Sequence, residues 1–154
     1  MIIGVWHSEY ETGNLEIDDQ HKTLFKIINN LAGAISQGSS QELLKQYLDE
    51  LINDTTIHFK TEEKLVGSLG YSGYICHRAA HENLQRTLLK VLIKFEADSS
   101  SLTLEIVESM KDLILDHICE EDLPMMQSLM KGQDLQHSFE AGVAPLTLSS
   151  FFET

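Results

Sequence analysis

The chain of 154 residues has little proline, cysteine or tryptophan and no long apolar run. Two prolines, Pro124 and Pro145, leave long stretches uninterrupted, which favours helices. Two cysteines without CxxC spacing, Cys76 and Cys119, predict inert packed thiols rather than a redox pair, disulfides or a thiolate zinc site. No stretch reaches the roughly 18 apolar residues that span a bilayer. The amino terminus lacks the pattern of a secretory leader, so we expect a cytoplasmic protein.

Basic residues are scarce as well. Lysine and arginine total 11 against 24 aspartate and glutamate, which gives a formal net charge of −13. An acidic surface repels nucleic acids and anionic membranes, so neither is an expected partner. The length suits about one domain, and a hydrophobic content of 42% is typical of a globular protein.

Apolar residues recur at three- and four-residue intervals in four stretches separated by glycine and serine clusters. This spacing predicts amphipathic helices over about 18–37, 41–66, 77–95 and 106–131. Ser40 is a candidate N-cap for the second helix, and the cluster 97–101 is expected to end the third helix and cap the fourth. Short connections predict an all-α, antiparallel up-down-up-down four-helix bundle.

We divide the chain into a bundle over 1–131, with an irregular N-terminal arm over 1–17, and a C-terminal extension over 132–154. The extension is too apolar for a solvated linker and too aperiodic to assign. Two interpretations remain open for it. It covers exposed core of the bundle, or it docks onto a protein partner or once led to a further domain.

The histidines carry the chemical signal. His58 with Glu62, and His77 with His81, are spaced i,i+4, which puts each pair on one face of a helix. His21 and His58 lie at similar distances from the first turn, as His81 and His117 do from the third connection, so an antiparallel bundle brings all of them to one layer. Imidazoles buried together are hard to satisfy without a metal.

The type and number of these ligands predict two iron ions. Imidazole suits iron, and no thiolate is available at these positions. Five histidines and two carboxylates are too many for one octahedral ion. If Glu62, one acid of the fourth helix and a solvent-derived oxygen each bridge two ions, one coordination position stays open for a small diatomic ligand. Helical periodicity alone favours Glu121 as that acid, because it lies four residues after His117.

Several motifs together resemble the hemerythrin family, especially its bacterial members, over about residues 5–130. They are Trp6, Tyr10, Gly13, the run from Ile17 to His21, Leu24-Phe25, His58-Phe59-x-x-Glu62-Glu63, His77-x-x-x-His81 and His117-Ile118-x-x-x-Asp122. The resemblance implies a non-haem di-iron centre with an oxo or hydroxo bridge that binds dioxygen reversibly.

Carried onto this chain, the resemblance assigns His77, His81 and His117 to one iron and His21 and His58 to the other. It implies that Glu62 and Asp122 bridge the pair and that the open position lies on the iron with two histidines. Asp122 is about 140° from His117 on an ideal helix, so it faces inward only if a wide turn of π type interrupts the helix. Pro124 supports such a turn.

By resemblance and spacing, Phe59, Ile114 and Trp6 are expected to line an apolar oxygen pocket. Tryptophan is common in the family where Leu113 stands in this chain. We expect Glu63, next to Glu62, to be a solvated surface acid. His7 and His137 lie outside the ligand layer and are expected on the surface.

The sequence leaves three functions open. The first is carriage, storage or sensing of dioxygen without catalysis, which the histidine-rich donor set favours. The second is an enzyme that handles peroxide or nitric oxide at the same centre. The third is a signalling module in which oxidation changes a surface that a protein partner recognises, with the C-terminal extension as the candidate segment.

Overall fold

The computed structural model describes the backbone of residues 1–140 and the side chains of residues 1–132. Its helices are α1 (Leu15–Ser36), α2 (Gln41–Leu69), α3 (Tyr74–Ala97), α4 (Leu104–His117) and α5 (Leu123–Glu140). A five-residue π turn, Ile118–Asp122, joins α4 to α5. The structure therefore has the all-α bundle that the sequence predicts, with α4, the π turn and α5 forming the fourth helix.

The helix ends follow from their capping residues. The side chain of Ser40 accepts a hydrogen bond from Leu43 N and caps α2, as predicted. The serine cluster before α4 instead forms a short 3₁₀ turn, Ser99–Ser101, and Thr103 is the cap. Gly70 ends α2 at φ +66°, a left-handed conformation that glycine adopts without strain. The helix bounds differ from the predicted ones by a few residues, except that α5 continues to Glu140.

The α1–α2 turn and the α3–α4 connection lie at the same end of the bundle, which we call the link end. Gln41 Nε2 donates to Ser99 Oγ at 2.6 Å, and Lys45 Nζ lies 3.2 Å from Glu96 Oε1, so the two connections touch. The larger apolar cluster fills the link end. All four helices contribute residues to it, for example Ile28, Leu51, Leu88 and Met110. A second, small cluster of Val66, Met125 and Met126 lies at the opposite end.

The N-terminal arm is fastened to α1 at two places. Asn29 Oδ1 accepts hydrogen bonds from Ile3 N and Gly4 N at 2.9 and 3.0 Å, and its Nδ2 donates to Gly4 O at 2.8 Å. Further along, Asp18 accepts from both the backbone and the hydroxyl of Thr12 at 2.8 Å. A Cβ on Gly4 would lie 2.9 Å from the ring of Phe25, so only glycine fits this approach.

The predicted boundary between bundle and extension falls inside α5, and residues 141–154 lie outside the described part of the chain. The division at 131 therefore stays a prediction. Within residues 1–140, no helix has both the length and the hydropathy needed to cross a bilayer.

Candidate metal centre

All seven predicted ligands lie together between the two apolar clusters. His21 is on α1, His58 and Glu62 on α2, His77 and His81 on α3, His117 at the end of α4 and Asp122 at the end of the π turn. Every one of these residues is buried, and none is more than 8% exposed. Antiparallel packing thus brings the i,i+4 pairs of α2 and α3 to one layer of the bundle.

The donor atoms form two overlapping groups. One contains Glu62, His77, His81, His117 and Asp122, the other His21, His58, Glu62 and Asp122, and the donor atoms within each group lie within 4.8 Å of one another. The two carboxylates belong to both groups. This is the arrangement that two neighbouring cations with two shared carboxylates require.

Individual distances also fit ligands of a common ion. His21 Nε2 lies 3.1 Å from both His58 Nε2 and Asp122 Oδ2. On the other side, Glu62 Oε2 lies 3.1 Å from the Nε2 atoms of His77 and His81. At a metal–nitrogen distance of about 2.1 Å, two donors at a right angle lie about 3 Å apart.

Asp122 faces the centre because of the π turn. Leu123 N–H donates to Ile118 O, five residues earlier, which is the hydrogen bond of a π turn. Pro124 has no N–H to donate and its ring crowds the carbonyl of Glu120, so a regular α-helix is disfavoured here. The side chain of Asp122 is 0% exposed, whereas that of Glu121 is 43% exposed. Periodicity alone, which favours Glu121, is wrong at this point.

The two carboxylates are ionised by their surroundings. Burial raises the pKa of Glu62, as does the charge of Asp122, but hydrogen bonds from His77 and His81 outweigh both and the pKa lies below its usual value. Burial also raises the pKa of Asp122, yet contacts with His117, His21 and His58 hold it well below its usual range. Two buried negative charges therefore lie among five imidazoles. A pair of cations would neutralise these charges.

Unsatisfied polar atoms at the same place support a metal. Glu62 Oε1, Asp122 Oδ1 and His117 Nε2 are buried without a hydrogen bond. Asp122 Oδ1 and His117 Nε2 lie 3.0 Å apart, but their orientation does not allow a hydrogen bond between them. A buried polar atom without a partner is costly, and a bound cation would satisfy all three. The residues present thus fit a metal pair.

The outer nitrogens of two imidazoles, those of His58 and His81, make hydrogen bonds that the sequence did not predict. His58 Nδ1 donates to Gln20 Oε1 at 3.1 Å, and Gln20 Nε2 donates to Thr61 Oγ1 at 3.0 Å. His81 Nδ1 donates to Glu63 Oε1 at 3.0 Å. The prediction that Glu63 is a solvated surface acid is therefore wrong, because α3 packs against it and leaves it only 25% exposed.

These contacts fix the rings. A carboxylate or amide acceptor on the outer nitrogen leaves Nε2 as the free donor toward a metal and makes it more basic. Glu121, although half-exposed, has a carboxylate oxygen 3.8 Å from His77 Nδ1 and belongs to the same outer group. No periodicity identifies these residues, since each contacts a ring on a neighbouring helix.

Aromatic and aliphatic side chains cover the link-end side of the centre. The ring of Phe59 stacks on that of His81 with centroids 3.9 Å apart, and lies 5.7 Å from His58 and 5.5 Å from His117. Phe59 is 4% exposed and Ile114 is 2% exposed, both in the larger apolar cluster. Phe59 therefore lies against predicted ligands of both groups.

Trp6 reaches the centre from the arm. Its ring is half-buried, 5.9 Å from the ring of His21 and 5.6 Å from those of Tyr10 and Phe25. Leu113, by contrast, is 42% exposed and does not cover the centre.

Within the part of the chain that the structure describes, His7 and the two cysteines belong to neither donor group. His7 is exposed, and the side chain of His137 lies outside the described residues. Both cysteines are free. Cys119 is half-buried, but Cys76 is exposed, so the prediction of a packed thiol is wrong for Cys76. Burial and nearby acids raise the pKa of the Cys119 thiol, which lowers its reactivity.

Comparison with known proteins gives a consistent result. Residues 12–129 match the family model described as the hemerythrin HHE cation binding domain. A bacteriohemerythrin of Methylococcus capsulatus is 32% identical over 123 residues, which cover 79% of this chain and 93% of the relative. A bacteriohemerythrin of Pseudomonas aeruginosa is 26% identical over 154 residues, covering 96% and 97%. A crystal structure of wild-type hemerythrin superposes with a TM-score of 0.73 at 28% identity, covering 80% of this chain and 97% of that one.

Proposed function

Because this chain belongs to the hemerythrin family, we propose that it binds dioxygen reversibly at a non-haem di-iron centre. His77, His81 and His117 would hold one iron, His21 and His58 would hold the other, and Glu62 and Asp122 would be shared by the two. The observation that carries the proposal is the pair of overlapping donor groups that share both carboxylates. A single ion would not use two such groups.

The chemistry that the iron pair supplies is the transfer of two electrons to dioxygen and their recovery on release. The protein contributes the charge balance and the geometry. Two buried carboxylates offset part of the positive charge of the ions, and Gln20 and Glu63 hold the rings of His58 and His81 in place. A donor set richer in histidine than in carboxylate adds less negative charge and favours reversible binding over oxygen activation.

The ligand pocket lies on the side of His21 and His58, where the smaller donor group leaves a coordination position open. Phe59 and Ile114 form its apolar wall, and Trp6 covers it from the arm next to His21. An apolar wall excludes water, which would otherwise compete for the open position and help dioxygen to leave as superoxide, taking one electron with it.

Carriage, storage and sensing all use the same reversible binding. The cytoplasmic location and a protein partner for residues 132–154 stay predictions, and most of that segment lies outside the described residues. A chain that turns over peroxide or nitric oxide would use the same ligands for catalysis.

The test combines metal analysis with visible absorption. Protein reduced under nitrogen is exposed to air and then returned to nitrogen. We expect two irons per chain and an absorption band that appears with dioxygen and disappears on its removal. The His77→Ala variant removes a ligand and is expected to lose the band, whereas Glu82→Ala, an exposed residue on the same helix, keeps it.

One iron per chain, or a band that bleaches irreversibly, would contradict reversible binding. Rapid consumption of peroxide or nitric oxide by the reduced protein would favour the enzyme instead.

A further inference from the structure

Thr55 is a buried polar residue in an apolar part of the core. It lies on α2 and is 1% exposed, and its hydroxyl is buried without a hydrogen-bond partner. Among the residues whose side chains the structure describes, it is the only buried polar one on the link-end side of the metal centre. An unpaired buried hydroxyl destabilises a protein and calls for an explanation.

Other helical threonines make a bond that Thr55 does not make. Thr23, Thr56, Thr61 and Thr87 each donate to the carbonyl four residues earlier, at 2.8 to 3.0 Å. This bond is the usual way for a threonine hydroxyl to satisfy itself in a helix. Thr55 is the chain neighbour of Thr56, but its hydroxyl makes no such bond and is free for another partner.

The position of Thr55 puts that hydroxyl beside the proposed pocket. It precedes His58 by three residues, about 4.5 Å along the helix axis, on the same face. Helical side chains lean toward the N-terminus of their helix, so the His58 ring leans over the turn that carries Thr55.

The other helices contribute apolar residues at the same level. Leu24 follows His21 by three residues, Leu84 follows His81 by three, and Ile114 precedes His117 by three, each one turn toward the link end. All three are buried. Of these four inward positions, one turn from the histidines of their own helices, three are therefore apolar and only Thr55 carries a hydroxyl, on the helix that provides His58.

We propose that Thr55 is a ligand-contacting residue whose hydroxyl donates a hydrogen bond to dioxygen held in the pocket. The proposal rests on the proposed function of the centre. A donor favours a ligand whose outer atom carries negative charge, because hydrogen bonds to charged acceptors are stronger. Dioxygen that receives electron density and small anions such as azide would gain from this bond, whereas carbon monoxide would gain little.

In the absence of ligand, the unpaired hydroxyl of Thr55 is expected to lower the stability of the protein measurably. Valine has the same shape as threonine without the hydroxyl, so Thr55→Val removes the unpaired group and leaves the packing intact. The metal-free variant is then expected to unfold a few degrees above the parent protein. The same substitution is expected to weaken ligand retention, so the two effects have opposite signs.

The experiment compares Thr55→Val, Thr55→Ser and a control, Thr87→Val, whose threonine is exposed and satisfied within its helix. Dioxygen dissociation from the iron-loaded, reduced protein is followed by stopped-flow absorption. Azide affinity is measured on the oxidised protein. Loss of one hydrogen bond predicts dissociation about 5- to 10-fold faster for Thr55→Val and a similar loss of azide affinity. Thr55→Ser and Thr87→Val are expected to stay within about twofold of the parent.

Unchanged dioxygen dissociation and azide affinity in Thr55→Val would overturn the proposal. Equally fast dissociation in Thr55→Ser would overturn it as well, because the effect would then come from packing. So would a lower unfolding temperature of metal-free Thr55→Val, because the hydroxyl would then have a partner inside the protein. If the parent protein takes up no dioxygen at all, the proposed function fails instead, and azide affinity and the unfolding temperature still test Thr55.

Discussion

Glu121 and Asp122 are neighbours in the chain, but only Asp122 points into the bundle. The π turn at Ile118–Asp122 adds one residue to the helix, so that the side chain five positions after His117 takes the inward place. Asp122 is fully buried against His117 and His21, whereas the carboxylate of Glu121 remains on the outer side of His77. The wide turn thus turns Asp122 toward the donor groups and leaves Glu121 on the outer side of His77.

The first prediction separates these two acids. Asp122→Asn removes a charged donor common to both groups and is expected to reduce bound iron from two per chain to one or fewer. Glu121→Gln keeps a hydrogen-bond acceptor near His77 and is expected to retain the pair. Iron content and the visible band measure both effects. Loss of the pair in Glu121→Gln with retention in Asp122→Asn would reverse the assignment of the bridge.

The sequence predicted the four helices and the convergence of the histidines because both depend on local periodicity and antiparallel packing. His58 with Glu62, and His77 with His81, needed only the helical repeat. Asp122 needed the family resemblance and Pro124, because a π turn breaks that repeat.

The outer contacts were not predicted for a different reason. Glu63 reaches His81, and Gln20 reaches His58, across the boundary between two helices. Which side chain lies opposite a given ring depends on the rotation of neighbouring helices, and no spacing within one helix contains this information. The unpaired hydroxyl of Thr55 was not predicted either, since the sequence does not reveal whether a hydroxyl is satisfied.

The second prediction concerns these outer contacts. Glu63→Ala leaves His81 Nδ1 without its acceptor and is expected to lower metal affinity about 10- to 100-fold, the usual effect of losing such a contact. Competition with a coloured iron chelator measures the affinity. Glu82→Ala is the matched control, because it removes an exposed acid of α3 that touches no ligand. An equal loss in both variants would indicate a general effect of surface charge and contradict a positioning role.

The third prediction concerns the arm. Asp18 is buried and accepts hydrogen bonds from Thr12 N, Thr12 Oγ1 and Gly13 N. Asp18→Ala leaves these donors without their acceptor and is expected to lower the free energy of unfolding by about 2–3 kcal/mol. Trp6 is the only tryptophan, so detachment of the arm appears as a red shift of its fluorescence.

Asp19→Ala is the matched control for this variant, because the neighbouring carboxylate is 79% exposed. It is expected to change neither stability nor fluorescence. A detached arm also uncovers the His21 side of the centre, so faster oxidation in air should accompany the fluorescence shift in Asp18→Ala alone. A red shift with unchanged oxidation would mean that Trp6 does not protect the centre.

The fourth prediction is that metal-free and metal-loaded protein respond to acid in opposite ways. Burial lowers the pKa of His117, but the Asp122 carboxylate outweighs it and raises the pKa above the usual 6.5. The protonated pair therefore stabilises the metal-free protein fully below about pH 6.5, and this contribution is lost as the pH rises through the folded-state pKa. Glu62 and Asp122 have lowered pKa values, so their contribution is present above their usual pKa values of 4.5 and 3.8 and is lost as the pH falls through the folded-state values.

The unfolding temperature of the metal-free protein is consequently expected to be highest between about pH 4.5 and 6.5. The metal-loaded protein has no such maximum, because histidine must be neutral to bind a metal and protons compete with iron. Its iron is expected to transfer to a chelator faster as the pH falls from 8 to 5, because protons compete with iron for the histidine nitrogens. If acid destabilised both forms in parallel over this interval, charge repulsion elsewhere would dominate, and the contact of His117 with Asp122 would not control the stability of the metal-free protein.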